Sequence, residues 1–274
     1  MDQKSKCLVV LSGGQDSTTC GWWAKQHFDE VYCLTIDYGQ RHSREIQSAM
    51  QIGKLLGAKQ HWLVPLDSIL QGSSPLTNHD AELEKYSDFE TMDKIIGDRV
   101  ELTFVPMRNA IFLSIAANFA VANGIRNLVT GVCQEDNANY PDCRLNFIQA
   151  QETTINLALG INDFSIHTPL MRLSKAESVK MLERMGAREF ASLAFSHTAY
   201  DGTYPPVGND HASILRAHGF EEADVPDPLV IRAFSEALMH WPTTHNYDHR
   251  RLRIAAIIAG VSDEVIRIKK ELGL

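Results

Sequence analysis

Short apolar runs alternate with helical patterns along the first part of the chain. Residues Lys6 to Leu11 read Lys-Cys-Leu-Val-Val-Leu, a β-rich run without polar alternation. Such a run predicts a strand buried on both faces, as in a parallel sheet. A glycine pair follows, then a helical stretch from about Asp16 to His27. Val31 to Ile36 forms a second run that ends at Asp37. A longer helical pattern, about Ser43 to Leu56, is closed by Gly57, and a third run spans Gln60 to Leu66. This β-α-β-α-β order with short connections predicts an α/β fold on a doubly wound parallel sheet.

The pattern loosens after that. Residues Gln71 to Asp98 are polar and irregular and read as a long loop near the functional face. An Ala-rich apolar helix is expected from Asn109 to Asn123, a fourth strand from Arg126 to Val132, and another helix from Leu145 to Leu159. Thr168-Pro169-Leu170-Met171 starts a new element. Ser174 to Met185 reads as a helix, with Ser174 at the N-cap and Glu177 three residues on forming a capping box. Phe195 to Gly219 is turn-rich, and the chain turns helical beyond Pro228. Leu252 to Ala259 and Val265 to Leu272 read as a helical pair around Gly260-Val261-Ser262. The division expected is a main domain over 1–194 and a helical C-terminal lobe over 195–274.

Composition narrows the function classes. The 274 residues carry a formal net charge of -8, which argues against a dedicated nucleic-acid binder, because phosphate neutralisation calls for a basic field. No segment is apolar enough for a bilayer span or a signal peptide, so a cytoplasmic protein is expected. The five cysteines form no CxxC pair and stop at Cys143, which fits reduced thiols. Cys133 reads as a small apolar packing residue.

The chemistry centres on Ser12-Gly13-Gly14-Gln15-Asp16-Ser17, set between the first strand and the first helix. Glycine permits positive φ and close approach of a ligand to the backbone. A helix N-terminus adds unpaired N–H groups and partial positive charge, so the turn makes a nest for phosphate oxygens. Ser12, Ser17 and Thr18 offer hydroxyls, and Asp16 is placed to position Mg²⁺ or its waters. A tight strand-to-helix turn with a serine cap is the plain alternative. The string is neither GxxxxGK[ST] nor GxGxxG, so the Walker and dinucleotide readings fail.

The six-residue string resembles the signature of the PP-loop (N-type) ATP pyrophosphatases, of the adenine nucleotide alpha-hydrolase-like fold. Longer blocks sharpen the likeness: Asp37-Tyr38-Gly39-Gln40-Arg41-His42, Phe104-Val105-Pro106-Met107-Arg108-Asn109, Tyr140-Pro141-Asp142-Cys143-Arg144 and Thr168 to Glu177. Over roughly residues 6 to 220 the chain resembles the 7-cyano-7-deazaguanine synthases of the queuosine pathway.

The resemblance implies an ATP-dependent ligase that adenylates 7-carboxy-7-deazaguanine, adds ammonia and dehydrates the amide to the nitrile. It implies nucleotide contacts at Ser12, Gly13, Gly14, Gln15, Asp16, Ser17, Thr18, Asp37, Tyr38, Arg108 and Gly131. Asp16, Ser17 and Lys175 are the candidate catalytic groups; a solvated lysine in a helix's first turn is the alternative for Lys175, and a surface arginine for Arg108. Substrate contacts are expected at Gln40, Arg41, Asp136, Tyr140, Pro141 and Asp142. Asp136, Tyr140 and Asp142 lie beyond the fourth strand's carboxyl end, where ligands sit in such sheets, unless they form a polar loop that caps its own turns.

The chain departs from that family in one place. Its members carry four zinc-binding cysteines near the C-terminus, and here those positions read Ala199, Val207, Asp210 and Ser213. Alanine and valine cannot ligate, so no structural zinc is expected, although His197, His211 and His218 lie nearby. The helical pair beyond about His249 extends past the family's usual end; Ile254, Ile257, Ile258, Val265, Ile266 and Leu272 dock on the core or form a homodimer face. A divergent member could pass the activated deazaguanine to a protein amine, in phage defence for example, or keep the pocket as a silent binding scaffold.

Overall fold

The computed structural model describes residues 4–40, 44–66, 69–70, 74–78, 80–134, 139–205, 208–239 and 260–274. Five strands form one parallel sheet in the order β3-β2-β1-β4-β5: β1 (Lys6–Val10), β2 (Glu30–Asp37), β3 (His61–Pro65), β4 (Asn127–Val129) and β5 (Ser165–His167). The alternation in β1 sorts its side chains. Cys7, Val9 and Leu11 enter one core, while Leu8 enters the other. The first core is covered by α1 (Gln15–His27), α2 (Arg44–Leu56) and α6 (Lys175–Met185), and the second by α4 (Arg108–Ala122) and α5 (Leu145–Leu159). With both sheet faces covered, the doubly wound expectation holds.

Winding outward from β1 runs one way to β2 and β3 and the other way to β4 and β5. The crevice between the carboxyl ends of β1 and β4 is therefore the switch point at which such sheets bind ligands.

Three readings of the chain need correction. The stretch read as a loop over Gln71 to Asp98 contains α3 (Phe89–Ile96), capped by Asp88, whose side chain accepts from Thr91 N–H, and burying Met92 and Ile96. Its apolar spacing over one short helix is hidden among charged neighbours. The turn-rich stretch over Phe195 to Gly219 gives way to α8 (His211–Glu222), capped by Asp210. The fifth strand, β5, has no counterpart in the sequence pattern, since three residues are too few to form a recognisable run. By contrast, the capping box at Ser174 and Glu177 is present in full.

The C-terminal elements α7 (Ala187–Ala191), α8, α9 (Pro228–Ser235) and α10 (Val261–Leu272) pack into the first core: Phe190, Phe220, Ile231, Val265 and Ile268 join Val9 and Trp22 there. Val265 therefore docks on the core, whereas Ile266 is 57% exposed. Ile254, Ile257 and Ile258 lie outside the described residues.

The positions occupied by zinc thiolates in the resembled family hold other chemistry. Ala199 is buried, and Ser213 donates from Oγ to Asp210 Oδ2 at 2.8 Å and from N–H to Asp210 Oδ1 at 3.1 Å. Val207 lies outside the described residues. His197 bonds the Ala199 carbonyl and His218 stacks on Phe89, so the nearby histidines do not converge. Among the described residues no cluster of His, Cys, Asp and Glu fits a metal ion. The donor set does not fit zinc.

A buried ion pair ties the C-terminal elements together. Arg216 donates from Nε and Nη2 to Asp227 at 2.7 and 2.8 Å, from Nη1 to Ser196 and Thr198, and from Nη2 to the Leu193 carbonyl. All five guanidinium hydrogens are directed at acceptors, as a buried arginine requires.

Candidate active site

The loop after β1 is shaped by close backbone approach. Gly13 has φ +86, and a Cβ there would lie 2.4 Å from the Glu45 carbonyl oxygen on α2. A Cβ on Gly131 would lie 2.9 Å from the Ser17 nitrogen, so the end of β4 abuts the first turn of α1. Gly14 is the N-cap of α1, and no side chain caps that end. Ser17 and Thr18 instead donate from their hydroxyls to the Gly14 carbonyl, and Ser12 N–H donates to Ser17 Oγ. The helix N-terminus thus faces the crevice with its positive end uncovered by protein carboxylate caps.

Lys175, the first residue of α6, crosses the crevice. Its Nζ lies 2.8 Å from Asp16 Oδ2, and the two side chains are 11% and 25% exposed. A Cβ on Gly219 of α8 would lie 2.5 Å from Lys175 Cγ, so that glycine leaves the lysine stem its path. Lys175 is not a solvated lysine.

The other end of the crevice is aromatic and polar. Arg108 begins α4, with its guanidinium 5.9 Å from the Tyr140 ring centre. Burial works against its charge, while the neighbouring Tyr38, Tyr140 and Tyr200 hydroxyls favour it, and its pKa is raised. Tyr140 bonds Thr103 and Glu101, and Thr103 also bonds Glu101. Burial pushes the Tyr38 hydroxyl up to about 12 and the Glu45 carboxyl up to about 7, the latter opposed by Arg108.

These parts enclose a cavity of about 290 Å³. Of the residues expected from sequence, Ser12, Gly14, Gln15, Asp16, Ser17, Tyr38, Gln40, Arg108, Gly131, Tyr140 and Lys175 line it. Gly13 and Thr18 support the loop from behind. Asp37 accepts from Gly39 N–H and Asp142 from Asn109 N–H at the start of α4, which makes them anchors of the flanking turns. Pro141 opens the short turn that carries Asp142. Arg41 and Asp136 lie outside the described residues. Glu45, Thr198, Tyr200 and His211 also line the cavity, with Glu101 behind Tyr140; sequence reasoning did not single these out as site residues. Glu45 lies three residues beyond the quoted Asp-Tyr-Gly-Gln-Arg-His block, and that proximity is the one signal that pointed to it.

The arrangement joins an anion cradle and a lysine at one end to stacking surfaces and hydrogen-bonding groups at the other. It suits a phosphorylated ligand at one end and a flat ring at the other.

Comparison with known proteins agrees. Residues 6–224 match the family model described as queuosine biosynthesis protein QueC. The chain is 46% identical over 242 residues to a 7-cyano-7-deazaguanine synthase of Chromobacterium violaceum, spanning 86% of this chain and 99% of that one. It is 46% identical over 227 residues to the synthase of Gloeobacter violaceus, covering 82% and 95%. Identity to the Bacillus subtilis synthase is 42% over 223 residues, covering 80% and 95%.

Proposed function

Because the chain belongs to the QueC family of queuosine biosynthesis proteins, we propose that it is an ATP-dependent ligase converting 7-carboxy-7-deazaguanine and ammonia to 7-cyano-7-deazaguanine. The observation that carries this reading is the single cavity in which Lys175, Asp16 and the loop of Ser12 to Ser17 face Arg108 and Tyr140.

The carboxylate oxygen attacks the α-phosphorus of ATP and pyrophosphate leaves. The loop N–H groups, the N-terminus of α1 and Lys175 take up the negative charge that builds on that leaving group, preorganised in a site screened from water. Ammonia then displaces AMP to give the amide, and a second adenylation on the amide oxygen lets AMP depart with the loss of two N–H protons, leaving the nitrile. AMP leaves far more readily than hydroxide, which is why ATP is consumed at each stage. Arg108 and Tyr140 orient the acid, the ring of Tyr140 offering a stacking face.

Mg²⁺ fits the donor set. No protein cage of three or more ligands exists among the described residues, and Mg²⁺ is commonly held by one or two carboxylates together with waters and phosphates. Asp16 would hold it directly or through water, and it would neutralise charge on the departing pyrophosphate.

Incubation with ATP, ammonium and the carboxylate tests the reading. Nitrile, AMP and pyrophosphate are expected by mass spectrometry and coupled assay. Carboxylate-dependent AMP release with no nitrile, and a deazaguanine adduct on a co-expressed protein, would instead favour transfer to a protein amine.

A further inference from the structure

His211 sits where the two ends of the cavity meet. It opens α8, lines the cavity and is 3% exposed. Neither ring nitrogen has a hydrogen-bond partner among the described residues. Its charged neighbours are Lys175, from the phosphate end, and Glu101, from the aromatic end. Gln15 in the loop presents a second buried side-chain nitrogen, Nε2, without a partner, and it lines the same cavity. Buried polar groups are almost always satisfied, and an orphan requires a reason. Two such groups lining one cavity, Gln15 at the start of α1 and His211 at the start of α8, call for a polar ligand that satisfies them.

We propose that His211 contacts the bound ligand, donating a ring N–H hydrogen bond to an anionic oxygen at the junction of the nucleotide and acid ends. The proposal rests on the ligase reading for the identity of the ligands. Burial holds the ring's pKa down to about 4, so at pH 7 the imidazole carries one N–H donor and one acceptor lone pair. A neutral donor suits this place, since Lys175 already supplies a cation and a second one beside it would be repelled. The anionic oxygen comes either from a phosphate of ATP or from the carboxylate of the acid.

Nitrogen-15 spectra of the histidine rings in the full chain distinguish these sources. His211 is assigned by the signals missing from H211L. Inorganic pyrophosphate, α,β-methylene-ATP and 7-carboxy-7-deazaguanine are added separately. A shift of the His211 ring with the first two places the bond on phosphate, and a shift with the third places it on the carboxylate. H211L is expected to raise the KM of the matching substrate roughly 10- to 100-fold, the range of a hydrogen bond to a charged group. H211N, which keeps an N–H donor, recovers most of that loss. A structural histidine would lose thermal stability on removal, whereas deleting an unsatisfied buried ring leaves the ligand-free Tm of H211L unchanged or higher.

Ligands that raise the Tm of the parent protein without moving the ring signal overturn the proposal. So does an unchanged KM in a folded H211L. Failure of the ligase reading looks different: pyrophosphate and α,β-methylene-ATP still move the ring, but no carboxylate-dependent chemistry follows.

Discussion

At the scale of single residues, the site is a contest between burial and charge. Lys175 is nearly enclosed, yet its ion pair with Asp16 at 2.8 Å holds the ammonium in the wall of the cavity. K175M removes that cation while retaining its volume. The expected result is a fall of roughly 10² to 10³ in the rate of pyrophosphate release, with an unchanged circular dichroism spectrum; a loss under tenfold would assign the charge stabilisation elsewhere. Glu45 shows the opposite balance. Burial raises its carboxyl from 4.5 to about 7, so the folded protein keeps a proton that the unfolded chain releases. Its contribution is therefore fully present below pH 4.5 and is lost as the pH rises through about 7. Between pH 5 and 8 the Tm of the parent should fall relative to that of E45Q; parallel curves would contradict the burial argument. Asp16, Lys175, Arg108 and Tyr140 were legible in the sequence because they belong to contiguous strings with known spacing. Glu101 and His211 were not, because what brings His211 into the cavity wall and Glu101 behind Tyr140 is the packing of α8 and of the segment before α4, which no local pattern encodes.

At the scale of elements, one glycine decides whether the cradle forms. Gly13 combines a left-handed φ with a contact that leaves no room for a Cβ. G13A must push α2 from the loop as well as strain the backbone, a cost of about 1–3 kcal/mol for the dihedral alone. Urea unfolding should report a loss of at least that size, and ATP binding should weaken with it. A variant as stable as the parent would show that the loop has room the structure denies it. Sequence patterns were reliable where an element is long and its burial regular, as in β1, β2, α2 and α4. They failed for α3 and α8. In α3, Phe89, Met92 and Ile96 supply the buried stripe across one eight-residue helix, too short for a period to emerge among Glu90, Asp93 and Lys94. In α8 the glycines, aspartates and prolines that precede it dominate the local composition, and only the Asp210 cap announces the helix.

At the scale of the whole molecule, the C-terminal residues close the first core and the back of the site together. Arg216 ties Ser196 and Thr198 to Asp227, and the adjacent His197 N–H donates to the Gly13 carbonyl at 2.9 Å. The ion pair therefore braces the segment that leans on the phosphate loop. D227A leaves a buried guanidinium uncompensated, and about 3–5 kcal/mol of stability should be lost in chemical denaturation. A loss below about 1 kcal/mol would mean that the C-terminal elements are held by apolar packing alone. No cluster of His, Cys, Asp and Glu among the described residues fits a metal ion, so prolonged EDTA treatment in the absence of nucleotide is expected to leave the Tm unchanged; a chelator-induced drop would reveal a metal site.

The central claim is that the cavity makes an acyl-adenylate, with the substrate's own oxygen bonded to the α-phosphorus of ATP. Oxygen-18 placed in the carboxylate of 7-carboxy-7-deazaguanine reads this directly. After turnover with ammonium and ATP, the account predicts AMP carrying one heavy oxygen from the acid, together with unlabelled pyrophosphate. Label in inorganic phosphate with ADP as the other product, or AMP free of label, would contradict it.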